Sequence, residues 1–345
     1  MSELRQDLVS GDWIVVASER AKRPHDFLPK KRHRRATPKK ECPFEDLEAS
    51  GNWPPIISYP DDTNPDARMG RGSGRKRGSW QIAVIPNKCP AVTHAPRCAV
   101  LGARGPYRLT QGVGHHDLVL TRDHRKNLAH LTPAQAIRLF EVIQKRYQAL
   151  GRDACLHYTS MFFNWGASAG ASLFHPHYQL LTLPIIPPDV AHSLQGSHKY
   201  FRQHRRCVHC DILGYERKEG SRIIEENAGA IAIAPFVSRE AFEVRVYPKR
   251  HRPYFEATPL ADLRAVVTLL ASCLRRIERH LNDPDLNFFI HTAPIKNQNQ
   301  HRHYHWHIEI VPKISIPAGF ELSTGVLINV IDPDKAASIL RGAKK

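Results

Sequence analysis

The chain has 345 residues, with 50 Lys+Arg against 33 Asp+Glu, a formal net charge of +17 and 41% hydrophobic residues. That apolar fraction supports a buried core and excludes disorder throughout, while the length suits about two domains. The apolar runs are too short for a membrane span and the opening MSELRQDLVSGDW is too polar for a secretory signal, so the sequence reads as soluble and cytoplasmic.

The first strand signal is WIVVA at 13–17. The basic excess follows in two stretches, KKRHRRATPKK at 30–40 and the Gly-rich RMGRGSGRKR at 68–77. Neither has apolar periodicity, so both are expected as loops, either a patch for nucleic acid or another anion, or simply solvated basic segments. WQIAVIP (80–86) and HDLVLT (116–121) have strand patterning. Thr132-Pro133 then opens an amphipathic run to Leu150, closed by Gly151, and Thr258-Pro259 opens another to about Leu281; an N-cap Thr with Pro at the first helical position predicts a helix in each case.

These helices belong to a repeat. Their starts are offset by 126, a preceding histidine (His124, His251) by 127, and a histidine-alternating strand (HPHYQLLTLP from His175, HYHWHIEIVP from His303) by 128. Between helix and strand lie MFFN (161–164) and NFFIH (287–291); a cysteine precedes each set, Cys42 once and Cys207-Val-His-Cys210 once. Five matched features in order point to an internal duplication of one α+β unit, with residues 1–190 as the first repeat and 191–345 as the second. With further strand signals at AIAIAPF (230–236) and FEVRVYP (242–248), the expected product is an antiparallel sheet with helices on one face.

Seven cysteines, an odd number, and 21 histidines suggest metal chemistry more than a disulfide scaffold. Cys207 and Cys210 with His251 and a histidine of the 303–307 strand have the donor types of a tetrahedral zinc shell; a redox pair is the competing reading of CxxC. The first half offers Cys42, His124 and His175, with Glu45 where a second cysteine would stand, and carboxylate also ligates zinc. Both would be structural, four-ligand sites. In a strand His175, His177 and Gln179 share a face. If His175 ligates metal, His177 is a neighbouring imidazole able to attack phosphorus, and Gln179 can donate a hydrogen bond to a phosphoryl oxygen. The small, Gly-rich NWGASAGAS (164–172) before it would let backbone N–H groups and Ser172 approach a phosphate. The alternative makes both histidines metal ligands.

HPHYQ after a Gly/Ser loop resembles the active-site motif of the galactose-1-phosphate uridylyltransferase family, a branch of the histidine-triad superfamily. The likeness extends over nearly the whole chain: Arg5-x-Asp7, Trp13 and Arg20-Ala-Lys-Arg23-Pro24 at the start, Val84-Ile-Pro-Asn87-Lys88-Cys-Pro90-Ala91, Arg122-Asp-His124, and HWHIEIVPK followed by AGFELSTGVLIN (318–329), the last similar to prokaryotic and plant-like members. The resemblance implies two fused histidine-triad-like repeats, the first catalytic. It implies His177 as the nucleophile taking the nucleotidyl group, oriented by the main-chain carbonyl of His175, with Gln179 holding phosphoryl oxygens, Ser172 on phosphate and Asn164 positioning it. Asn87 and Lys88 would lie in the nucleoside-binding turn, Arg20 and Arg23 on phosphate across a dimer interface, and Phe320, Glu321, Thr324 and Gly325 toward the sugar phosphate. For the second zinc the repeat register points to His303 and the family's HW pattern to His305. Glutamine at 179, where histidine-triad hydrolases carry histidine, favours transfer over hydrolysis. The implied activity is UDP-glucose:hexose-1-phosphate uridylyl transfer, in galactose metabolism, by a homodimer. The alternatives are an adenylyl transferase or phosphorylase acting on ADP-glucose or a dinucleoside polyphosphate, and a nucleic-acid-binding protein using the basic loops.

Overall fold

The computed structural model describes residues 2–22, 34, 36–52, 54–60, 80–296 and 298–342. Arg23 and the basic stretch at 68–77 lie outside the described residues, as does part of 30–40. Chain order is β1 (Glu3–Gln6), β2 (Trp13–Val16), β3 (Ile57–Pro60), β4 (Trp80–Pro86), β5 (Gly102–Arg104), β6 (Tyr107–Leu109), β7 (His115–Thr121), α1 (Pro133–Leu150), β8 (Tyr158–Trp165), β9 (His177–Leu183), α2 (Pro188–His204), α3 (Val208–Glu219), β10 (Ile223–Glu226), β11 (Ala230–Ile233), β12 (Val244–Pro248), α4 (Leu260–His280), β13 (Leu286–His291), β14 (His307–Pro312), α5 (Gly319–Thr324), β15 (Leu327–Asn329) and α6 (Pro333–Arg341).

Ten strands form one antiparallel sheet, in the order β10-β11-β12-β14-β13-β8-β9-β7-β4-β3. The order is palindromic in the repeat. β8 and β13, the two aromatic strands, pair at the centre with Phe162 opposite Phe289 and Asn164 opposite Asn287. A separate three-stranded sheet joins the chain's beginning to its end, β15 pairing in parallel with β2.

The sheet alternates by face, as the period of two requires. Met161, Phe163, Tyr178, Leu180, Phe288, Ile290, Ile308 and Ile310 are buried in one continuous core with Leu139, Phe140 and Ile143 of α1 and Val266, Val267 and Leu270 of α4. Their neighbours in sequence, Phe162, Asn164, His177, Gln179, Asn287, Phe289, His307 and Glu309, therefore project from the other face. On that face α3 covers Ile231, Ile233 and Tyr247 through Leu213, and Cys42, Phe44 and Leu47 cover Ala83, Ile85, Leu118 and Leu120.

The predicted helices differ at one start. Thr132 accepts from the Gln135 N–H and closes a capping box. Thr258 does not cap: α4 begins a residue later behind Pro259, and the Thr258 hydroxyl donates back to the Tyr254 carbonyl. The histidine strands are also shorter than expected, starting at His177 and His307. On them the repeat is offset by 130, not 128: Gln179 faces Phe162 and Glu309 faces Phe289 across equivalent ladders. Phe289 and Glu309 are 20 residues apart where Phe162 and Gln179 are 17 apart, so a connection three residues longer displaces the second strand in sequence but not in space. Against the expectation from cysteine usage, Cys98 and Cys155 form a disulfide tying the β4–β5 connection to the segment after α1.

Candidate active site and metal centres

His177 sits at the start of β9, on the open face, nine-tenths enclosed. Its Nδ1 lies 2.9 Å from the His175 carbonyl oxygen. A carbonyl only accepts, so Nδ1 carries the proton and Nε2 is left with a bare lone pair. Burial pushes the His177 pKa down, with the His175 carbonyl bond opposing it, so the neutral, nucleophilic form is held at neutral pH. The Phe44 ring is tilted against it, with centroids 5.6 Å apart.

His177 lines a cavity of about 450 Å³ together with Phe44, Asn52, Asn87, Lys88, Phe162, Asn164, Ser172 and Gln179. The loop and strand residues of the sequence-level set thus converge. A second cavity of about 430 Å³ shares Phe162 and Asn164 and runs along the sheet past Asn287, Glu309, Arg239 and Lys313. Asn287 Nδ2 donates to Asn164 Oδ1 at 2.9 Å and to the Ala169 carbonyl at 2.8 Å. With its oxygen engaged, Asn164 presents its amide N–H groups to the cavity. Gln179 Oε1 is likewise engaged, 3.0 Å from His116 Nε2.

The Gly-rich loop is built differently from the expectation. Ser168 gives both its N–H (2.9 Å) and its hydroxyl (2.6 Å) to Asp285 Oδ2. The N–H groups of Ala169, Gly170 and Ala171 bond within the turn. These amides are spent on holding the loop's shape, so Ser172 and the Asn164 amide carry the polar contact to the cavity. Asp285 also takes Arg34 Nε at 3.2 Å, and Arg34 lies over the Trp165 ring. One member of the 30–40 basic stretch is therefore an internal clamp.

The metal-type residues gather into two groups of four, Cys42, Glu45, His124, His175 and Cys207, Cys210, His251, His305, each with its donor atoms within 4.8 Å of one another. All four histidines give Nε2–H to a main-chain carbonyl: His124 to Thr37 at 2.8 Å, His175 to Thr121 at 2.8 Å, His251 to Arg302 at 2.7 Å and His305 to Pro248 at 3.0 Å. Each Nδ1 lone pair is thereby turned inward. His124 Nδ1 and Glu45 Oε1 have no hydrogen-bonding partner, although 3.1 Å apart. Inward lone pairs, a carboxylate and thiols in one small volume repel unless a cation or protons sit among them, so the donor sets fit a tetrahedral ion. Burial, opposed by the bond to Thr121, pushes the His175 pKa down to about 4. The adjacent Cys210 thiol, helped by His251 and His305, pulls the Cys207 thiol far below its ordinary range. The group takes His305 and not His303, whose ring packs on His198 and Phe201 in the turn before β14.

Other expected residues lie apart. Arg20 is exposed in a short turn after β2, and Phe320, Glu321, Thr324 and Gly325 occupy the exposed α5 and its end, outside the His177 cavity of their own chain. Sequence reasoning missed His116, Asn287, Asp285 and Phe44. His116 and Asn287 carried a signal, their face parity with Leu118 and Phe289; the other two act through long-range contacts that no spacing shows.

Residues 112–341 match the protein family described as "domain of unknown function (DUF4921)". ADP-glucose phosphorylase of Arabidopsis thaliana is 32% identical over 345 residues, covering 98% of this chain and 92% of that protein. Galactose-1-phosphate uridylyltransferase of Thermotoga maritima is 25% identical over 350 residues, covering 99% and 98%. The crystal structure of an ADP-glucose phosphorylase from Arabidopsis thaliana with bound ADP-glucose superposes with TM-score 0.81 at 29% identity over 100% of both chains. A uridylyltransferase structure does so with TM-score 0.72 at 25% identity over 99% and 98%. The duplicated sheet and its relatives define a nucleotidyltransferase of the histidine-triad superfamily. Within it the chain belongs to the galactose-1-phosphate uridylyltransferase family, on the prokaryotic and plant-like branch.

Proposed function

We propose that the chain is an ADP-glucose phosphorylase working through a nucleotidyl-His177 intermediate. The observation that carries the chemistry is the His177 ring, fixed by the His175 carbonyl with Nε2 bare toward a cavity that Gln179, Asn164 and Ser172 share. His177 Nε2 attacks the α-phosphorus of the nucleotide sugar, the bond to the bridging oxygen breaks, and hexose 1-phosphate leaves. Phosphate then attacks the same phosphorus and the P–N bond breaks, returning the electron pair to Nε2 and releasing the nucleoside diphosphate. The amides of Gln179 and Asn164 donate to the phosphoryl oxygens as charge gathers on them.

The UDP-glucose reading expected from the sequence moves to second place, because the near full-length likeness to an ADP-glucose phosphorylase is 32% against 25% for the Thermotoga maritima uridylyltransferase. That relative still supports transfer of uridylyl groups to hexose 1-phosphate. Zinc is the ion we assign to both four-residue groups, where it would tie Cys42 to β9 and α3 to β14 structurally. We further propose a homodimer, in which a second copy brings Arg20 and α5 to the cavity they do not reach in their own chain.

The test is intact mass after mixing with ADP-glucose and, separately, UDP-glucose. An adenylyl adduct mapping to His177 is the expected result. A uridylyl adduct alone would restore the second reading, and an active protein with no adduct at His177 would overturn both.

A further inference from the structure

His116 does not line the His177 cavity, yet it bonds Asn87 and Gln179, which do. Three hydrogen bonds fix its position. Its own carbonyl accepts from the Asn87 N–H at 2.7 Å. Its Nδ1 accepts from the Ala91 N–H at 3.1 Å. Its Nε2 lies 3.0 Å from Gln179 Oε1. The Asn87 amide nitrogen lies 3.2 Å from Nε2 and 3.5 Å from Nδ1.

The tautomer follows from these partners. A backbone N–H only donates, so Nδ1 is bare and a neutral ring carries its proton on Nε2. The ring therefore presents a donor to Gln179. That matters because a glutamine amide has nearly the same shape after a half-turn, with opposite polarity. Aimed one way it offers N–H to a phosphoryl oxygen; aimed the other it offers a carbonyl oxygen and repels it. Only Oε1 can accept from His116.

We propose that His116 is a positioning residue that locks the Gln179 amide with its N–H groups toward the transferred phosphoryl group, and so links the 87–91 turn to the reacting end of the cavity. This rests on His177 being the nucleophile. The relay runs Ala91 N–H to His116 Nδ1, His116 Nε2–H to Gln179 Oε1, and Gln179 Nε2–H to substrate. It performs no proton transfer; it sets a dipole before substrate arrives, which is where electrostatic stabilisation is most effective.

The test compares near-isosteric replacements of opposite polarity, assayed for nucleotidyl release from ADP-glucose and UDP-glucose. His116→Gln keeps a donor near Nε2, and kcat should stay within about fivefold of the parent. His116→Glu places an acceptor there, draws the Gln179 N–H groups away from substrate, and should lower kcat by about tenfold to a hundredfold with a smaller change in KM. In a Gln179→Ala background, His116→Gln and His116→Glu should give equal kcat, because the amide they orient is gone. Equal kcat for both variants in the parent background, or the same Gln-to-Glu ratio in both backgrounds, would overturn the proposal while leaving His177 as nucleophile. A parent silent on both nucleotide sugars would overturn the nucleophile and this relay together. Circular dichroism and metal content matching the parent identify which variants fold.

Discussion

Glu309 stands in the second half of the sheet where Gln179 stands in the first. Each faces a phenylalanine of its partner strand, Phe289 and Phe162, and those two face each other across the seam. The equivalence extends to the histidines before them. His307 Nδ1 lies 3.2 Å from the His305 carbonyl, as His177 Nδ1 does from His175. The halves part at Nε2. In His177 it faces the cavity, whereas in His307 it bonds Glu309 Oε1 at 3.3 Å. Glu309 in turn shares Arg245 with Glu243, at 3.0 and 2.8 Å, all three buried. A carboxylate where phosphate would have to sit, accepting from Nε2 where His177 keeps that nitrogen bare, gives the second half the nucleophile's scaffold with the attacking position blocked.

That contrast separates two substitutions. His177→Asn should abolish adduct formation with the fold intact. His307→Asn should leave adduct yield and kcat within about twofold and lower unfolding stability by about 2 kcal/mol through the lost Glu309 bond. Mass spectrometry and urea denaturation of the pair check both. Loss of the adduct in His307→Asn with folding retained would show that the second half takes part in transfer.

Gln179→Glu copies the second half's residue into the first. A carboxylate beside the transferred phosphoryl group opposes the charge that develops there, and the donor is lost as well. The expected fall in kcat is about a hundredfold or more at neutral pH. Gln179→His restores the residue type of the superfamily's hydrolases and should raise the ratio of hydrolysis to transfer. Nucleotide release with and without phosphate measures both, and an unchanged ratio in Gln179→His would remove glutamine from the account of specificity.

Much of this was legible along the chain because it is local. Alternation in MFFN, HPHYQ and NFFIH predicts which side chains share a face, and Thr132-Pro133 opens the helix it announces. What spacing could not settle were choices made by distant carbonyls. HYHWH offers three histidines, and only Pro248, 57 residues away, turns the His305 Nδ1 inward. His303 has the right type and offset in sequence but lies in a turn. Likewise the Gly-rich loop predicts room for a phosphate, but not that Asp285, 117 residues on, takes the Ser168 N–H and hydroxyl. The repeat was visible as order; its register on the last strand depends on a connection whose length the ladder ignores.

Asp285 gives a stability prediction with a functional readout. It is buried, with 7% of its surface exposed, and holds Ser168 and Arg34 at once. Asp285→Ala takes one of two carboxylates from Arg34, which keeps Asp283, and removes both Ser168 bonds, freeing the loop carrying Ser172. The expected loss is about 2 kcal/mol, with a raised KM for the nucleotide sugar. Gly166→Ala should act on the same contact from the other side, since Gly166 has φ +88° and an added Cβ would collide with the Asp285 carboxylate. Urea midpoints and KM for the two variants should move together; a shift in only one would separate the loop from the carboxylate.

The two donor sets differ in a way that metal analysis can read. Cys207, Cys210, His251 and His305 supply two thiolates, while Cys42, Glu45, His124 and His175 supply one thiolate and a carboxylate. Thiolate is the softer and better ligand for zinc, so under a chelator the first-half ion should leave first. Burial also raises the Cys42 pKa. Metal must displace that proton, so retention at this site should strengthen with rising pH. Two zinc ions per chain are expected by elemental analysis. Glu45→Cys should slow loss to the chelator, and Glu45→Ala should leave one ion and lower the melting temperature. Simultaneous loss of both ions, or Glu45→Ala retaining two, would show that the carboxylate is not part of the first shell of donors.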